Sequence, residues 1–166
     1  MKKAGILSVW GTGLIDKAEP DFERDTKEWE YKDDQKASFM EQTSAAAGIS
    51  HRYFFGENGL LKTTLATTYS KVKAWEDFYD MDLNSTPWLN YKGDYTNFIL
   101  TSSFDKKYSA RHTNKTGFTV TNMRYDMQLQ LVPIDAQPLE TVSKGKGDTN
   151  LISAYTSSAI KLNDRL

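Results

Sequence analysis

The chain has 166 residues, 39% hydrophobic and 13% aromatic, with 21 basic and 22 acidic residues interspersed for a net charge of -1. That balance lacks the positive footprint that nucleic acid requires, and the absence of cysteine excludes a disulfide framework and a thiolate metal site. No window of about eighteen consecutive apolar residues occurs, which excludes a membrane-spanning helix. Spanning strands, which alternate in polarity, remain compatible with the mean hydropathy of -0.62.

Met1 to Trp10 opens basic and then apolar, as a secretory leader does, but Ser8 breaks the run and Gly11-Thr12-Gly13 leads into acidic residues. No targeting segment is therefore expected. Lys3 to Gly13 reads as a first strand, with Gly5, Gly11 and Gly13 placed where side chains would crowd a curved wall. Asp16 to Lys36 has 14 charged residues in 21, nine acidic and five basic, with Pro20, Trp29 and Tyr31 among them, and is expected to be a solvated loop.

Glu41 to Phe55 reads as a second strand with Ala45, Ala47, Ile49, Tyr53 and Phe55 on one parity, interrupted by His51, its aromatic end suited to a membrane interface. Gly56-Glu57-Asn58-Gly59 is a tight hairpin turn, and Leu60 to Trp75 returns with Leu61, Leu65 and Tyr69 together. Glu76 to Gly93, with Pro87, Trp88 and Tyr91, is expected to be a second long loop. Asp94 to Phe104 is a fourth strand, and Asp105 to Lys115 a shorter connection. Pro133 to Thr149, with Pro138 and Lys144-Gly145-Lys146-Gly147, is a third long loop. Asn150 to Leu162 is a sixth strand whose apolar residues fall on both parities.

The fifth strand, Thr116 to Leu131, carries the clearest pattern. From Asn122 onward Asn122, Arg124, Asp126, Gln128 and Gln130 alternate with Met123, Tyr125, Met127, Leu129 and Leu131, which puts polar and apolar side chains on opposite faces of a ribbon. A helix would mix them. The run has roughly sixteen residues, where a soluble strand has about 3–10 and a bilayer-spanning one needs about 9–11. Length and alternation predict an outer-membrane barrel strand, with Asn122, Arg124, Asp126 and Gln128 facing the lumen and the long connections outside the cell.

Catalytic and metal motifs are weak. His51 and His112 have no His-Glu-x-x-His or cysteine partner, and no metal is expected. Asp80-x-Asp82-x-Asn84 begins like a calcium loop but has Ser85 and Tyr91 where glycine and glutamate belong. Gly56 to Thr63 lacks the glycine of a phosphate loop before Lys62, and Gly48 to Arg52 lacks the second glycine of a nucleophile elbow. Neither an enzyme nor a cofactor is implied. The expected loop aromatics Trp29, Tyr31, Trp88 and Tyr91 are candidates for ligand contact, by stacking on a sugar or clasping a peptide.

Four segments carry a resemblance: Arg111-His112-Thr113-Asn114-Lys115-Thr116-Gly117, Trp29-Glu30-Tyr31, Gly48-Ile49-Ser50-His51 and Ser153-Ala154-Tyr155-Thr156-Ser157-Ser158. They resemble barrel segments of TonB-dependent outer-membrane receptors, most of all the large ones with a carboxypeptidase-regulatory-like domain ahead of the plug. The resemblance implies residence in the Gram-negative outer membrane and energised uptake of siderophores, vitamins, glycans or peptides. It also implies a plugged barrel of about 22 strands. Residues 1–166 would then be an interior barrel segment without signal peptide, TonB box, plug or closing strand. Its partners would be outer-membrane lipid and the rest of the barrel and plug, with TonB reached only through that plug. The expected fold is all-β, an open antiparallel up-and-down meander of about six strands. A small soluble β-barrel that binds a ligand within its apolar face is the alternative, and an extracellular adhesion protein is a third.

Overall fold

Runs rich in Thr, Val, Ile, Tyr and Phe, which fit a pleated surface, carry the chain through six antiparallel strands. The computed structural model describes residues 5–19, 22, 24–133 and 138–162. The strands are β1 (Ile6–Ala18), β2 (Lys36–Phe55), β3 (Gly59–Tyr79), β4 (Ser85–Lys107), β5 (His112–Leu131) and β6 (Glu140–Ile160), with one 3-10 turn at Lys32–Gln35. They pair in chain order as a single sheet that is not closed into a barrel, so β1 and β6 each keep an open edge. The all-β open meander expected from the sequence is the fold, and the six strands do not form the small closed barrel of the alternative.

The strands outrun their expected bounds. β4 has 23 residues and β3 and β6 have 21 each, so they extend about 70–80 Å at about 3.4 Å per residue. The loop expected at Glu76 to Gly93 shrinks to a turn at residues 80–84, because the ladder of β3 and β4 continues from Glu76↔Leu89 to Tyr79↔Ser85. A bulge at this end absorbs Trp88, which has no register partner on β3, and Pro87 sits beside the bulge, where a missing amide is tolerated. The loop expected at Pro133 to Thr149 likewise ends at Glu140, where β6 begins pairing with Leu131. Residues 134–137 of that loop, Pro20, and Lys3 and Ala4 of the expected first strand lie outside the described residues. The sequence signals for loops were charge and glycine, but a long ladder satisfies the backbone of such residues as fully as water does.

This is one layer without a core. Among the described residues the buried apolar side chains are Ala37 and Val132. The accessible area is 12182 Å², where a compact monomer of 18.9 kDa exposes about 8,300 Å². The sheet therefore leaves uncovered the apolar surface that ordinarily holds a domain together.

Candidate functional site

Register, read across all six strands, sorts the side chains into two unlike faces. One row runs Val9, Ile49, Leu65, Leu100, Val120 and Ile152. The rows beside it on the same face are mixed, Leu7, His51, Thr63, Ser102, Phe118 and Ala154 on one side and Gly11, Ala47, Thr67, Phe98, Asn122 and Asn150 on the other. These side chains have no covering layer; Val9 is 75% exposed, Ile152 71% and Leu65 54%. Aromatic rings border the patch at both ends. Near the turn at residues 56–58, Tyr53 meets Phe55 edge-on at 4.7 Å between centroids and Phe55 meets Phe104 at 5.8 Å. At the other end stand Tyr69, level with Ala45, and Phe98, over whose ring the Arg124 guanidinium lies at 5.3 Å.

Beyond Tyr69 this apolar face turns charged. In the next row Lys71, Asp94, Asp126 and Lys146 lie side by side, with Lys71 3.9 Å from Asp94 and Lys146 3.4 Å from Asp126. In the row after that come Lys17, Glu41, Lys73, Lys92, Gln128 and Lys144. Glu41 holds Lys17 at 3.2 Å and Lys73 at 3.5 Å.

The opposite face carries small hydroxyl and amide side chains at mid-sheet, together with one mainly apolar row of Trp10, Ala66, Ile99 and Leu151. Ser50 and Thr64 share a hydrogen bond of 2.9 Å, Thr101 and Thr119 one of 3.2 Å, and Asn97 Nδ2 donates to Thr68 Oγ1 at 2.9 Å. Three of its large rings lie on glycines of the neighbouring strand: Trp10 on Gly48, Tyr155 on Gly117 and Tyr125 on Gly147. A β-carbon at Gly48 would come within 2.6 Å of the Trp10 ring, and one at Gly147 within 3.1 Å of the Tyr125 ring. The expectation for Gly11 and Gly13 is corrected: their nearest neighbours stand at 3.6 Å, so neither relieves crowding.

The polar series expected at Asn122, Arg124, Asp126 and Gln128 does share one face, and it is the face of Leu65 and Val120. Asn122 Nδ2 donates to Asn150 Oδ1 at 2.9 Å, and Arg124 Nε donates to Asn122 Oδ1 at 2.9 Å. Met123, Tyr125, Met127 and Leu129 lie on the hydroxyl face with Thr64, so the expectation that they share an apolar face with Leu65 is corrected. The reason is a change of phase along β5: Phe118 and Val120 are apolar on even positions, whereas Met123 onward is apolar on odd ones.

The four aromatic candidates are not brought together in loops. Trp88 and Tyr91 belong to β4. Trp88 packs against Phe78 at 5.9 Å, with Lys32 and Lys36 over its ring at 5.5 and 5.7 Å, and Trp29 packs on Phe22 at 6.0 Å. The Tyr91 hydroxyl bonds that of Tyr95 at 2.8 Å on the hydroxyl face. Tyr31 alone of the four stands well out in solvent, 72% exposed. Aromatic packing pins the segment before β2 onto the β3 and β4 tip, and the Trp29 and Trp88 rings are occupied in doing so.

Asp80, the first residue of the calcium-like series, turns its carboxylate inward on its own loop. It accepts the amides of Asp82 and Asn84 at 2.9 Å each, and the Asn84 side chain at 3.0 Å. Among the described residues no three His, Cys, Asp or Glu side chains converge as a metal site would require. The Asn84 side chain first, and then the amides, hold the Asp80 carboxyl below its ordinary 3.8. A folded pKa below the unfolded one means the turn's stabilisation is present at neutral pH and is lost as pH falls through the lowered value. Amide exchange at Asp82 and Asn84, corrected for intrinsic rate, should accelerate over that acid range, and Asp80→Ala should show the fast rate already at pH 7. Equal protection in the variant would refute this role.

No family model, curated protein or solved structure matches the chain.

Proposed function

We propose that this chain is a stretch of the wall of an outer-membrane transport barrel of the kind that TonB-dependent receptors use for energised nutrient uptake. The observation that carries the reading is the bordered apolar patch. From Phe55 to Ala45 is ten residues of β2, about 34 Å of strand, which a tilt of about 45° reduces to about 24 Å. A barrel's lipid-facing band is about 25 Å tall and flanked by aromatic girdles. The opposite face suits a wet lumen, since hydroxyls and amides there bond one another across strands and still accept water. On this reading Asn122, Arg124, Asp126 and Gln128 look outward, Arg124 at the edge of the band in the Tyr69 row and Asp126 and Gln128 beyond it, and the aromatic and methionine side chains from Met123 to Leu129 line the inside.

Two open edges fit the same account. In a barrel, neighbouring strands pair such edges, and closure removes the donors and acceptors that would recruit another chain. Strand surplus at the end opposite the residue 56–58 turn would project into water as an outer rim.

Flotation with preformed lipid vesicles tests this. The chain, refolded from urea in their presence, should rise with the lipid, and protease should spare the span from Ala45 to Phe55 while cutting at residues 24–31. A sharp soluble monomer that stays in the aqueous fraction and melts cooperatively would overturn the proposal.

A further inference from the structure

Immediately beyond the bordered patch the apolar face carries an excess of positive charge that the chain as a whole lacks. The Tyr69 row and the two rows after it hold seven cations and four carboxylates, whereas the facing rows of the hydroxyl side hold no cation and only Asp16. The chain's net charge is -1, so this excess is local and one-sided. Its distribution is uneven too. The Lys71, Asp94, Asp126 and Lys146 row balances. The Lys17, Glu41, Lys73, Lys92, Gln128 and Lys144 row has one carboxylate for four ammonium groups, and Glu41 is engaged by Lys17 and Lys73.

Lys73 and Lys92 face each other directly in register, with Gln128 and then Lys144 next in the row. Like charges directly opposite destabilise a sheet, and no carboxylate of the row reaches Lys92 or Lys144. An external anion would relieve both.

Position selects which anion. From Tyr69 to Lys73 is four residues along β3, about 14 Å of strand and about 10 Å of depth at the same tilt. The headgroup layer outside the hydrocarbon is about 5–8 Å thick on each side, and a lysine stem lets its ammonium reach back several ångström.

We infer that the row of Lys73, Lys92, Gln128 and Lys144 is a recognition site for the phosphate-bearing headgroups of anionic lipids, whose acyl chains lie against the Leu65 and Val120 band. The inference rests on the membrane reading above and adds to it a headgroup class, since an uncharged interface would need no cation excess. The ammonium groups supply charge that attracts a lipid phosphate within a Debye length, and the Gln128 amide supplies a neutral donor between them.

The chain folded into phosphatidylcholine vesicles with a minority of phosphatidylglycerol tests this, with spin-labelled lipids of each kind reporting the boundary layer. Wild type should enrich the anionic label several-fold over the zwitterionic one, and K92E/K144E should bring that ratio close to one. A fluorophore at position 65 should stay quenched by lipid-borne quenchers in both proteins, and in pure phosphatidylcholine. Equal enrichment in wild type and variant would overturn headgroup recognition while leaving the membrane reading intact. An unquenched position 65 would overturn both. Inorganic phosphate at constant ionic strength should not change the ratio; its loss on adding phosphate would assign the row to a free anion and overturn the lipid assignment.

Discussion

Arginine in place of Leu65 is expected to destabilise the chain folded in a bilayer by about 2–4 kcal/mol, the cost of a cation near mid-membrane on a barrel's lipid face. Leu65 stands in the middle row of the apolar face, between Ile49 and Leu100, and is 54% exposed with no covering layer. Val120→Arg, in the same row, should cost a similar amount. Thr64→Arg and Met123→Arg put the same cation on the hydroxyl face and should cost far less, because that side offers water and polar neighbours. Urea titration of the vesicle-folded chains measures all four. The comparison is sharp because Leu65 and Thr64 are adjacent in sequence, so propensity, strand position and chain context are shared. Equal costs at the two positions would defeat the assignment of the Leu65 face to lipid and the Thr64 face to the lumen.

Gly117→Ala should destabilise by about 1–3 kcal/mol, the usual penalty for forcing extra volume into a packed place. Its new β-carbon would meet the Ser102 carbonyl oxygen and the Tyr155 ring at 2.8 Å each. The ring belongs to the last strand and could swing aside, but the carbonyl belongs to the sheet backbone and cannot. Gly13→Ala is the matched control: its nearest neighbour would be the Ser44 carbonyl at 3.6 Å, so the loss of unfolded-state freedom should leave it neutral or up to about 1 kcal/mol more stable. The same urea titration reads both. A harmless Gly117→Ala would mean that the β4 backbone at Ser102 does not approach Gly117 this closely.

Much of this architecture was legible because its signals are local. Gly56 to Gly59 fixed one hairpin, and Leu61, Leu65 and Tyr69 marked an apolar parity that register upholds. Strand ends were harder, since Pro87, Trp88 and the Lys144 to Gly147 run have loop composition yet lie within ladders. A bulge accommodates the first pair, and the Tyr125 ring lies over the glycines of the second. The least legible feature was the phase of β5. Alternation says that two faces differ, but only pairing with β4 says which of them is the face of Leu65. Beyond the apolar band the polarity of both faces inverts, so the cleanest stretch of alternation lies where it misleads about the band. The cationic row could not be read from sequence either. Lys73, Lys92 and Lys144 are far apart in the chain and meet only through register.

Depth-dependent quenching at adjacent positions of β3 tests the central claim most directly. Fluorophores placed singly at positions 64, 65 and 66 of the chain folded in vesicles report whether each side chain touches acyl chains or water. The account predicts strong quenching by a mid-acyl bromine or nitroxide at position 65, weak quenching at 64 and 66, and the reverse order with aqueous iodide. Uniform quenching at all three positions, or protection of position 65 from lipid and water alike, would contradict it.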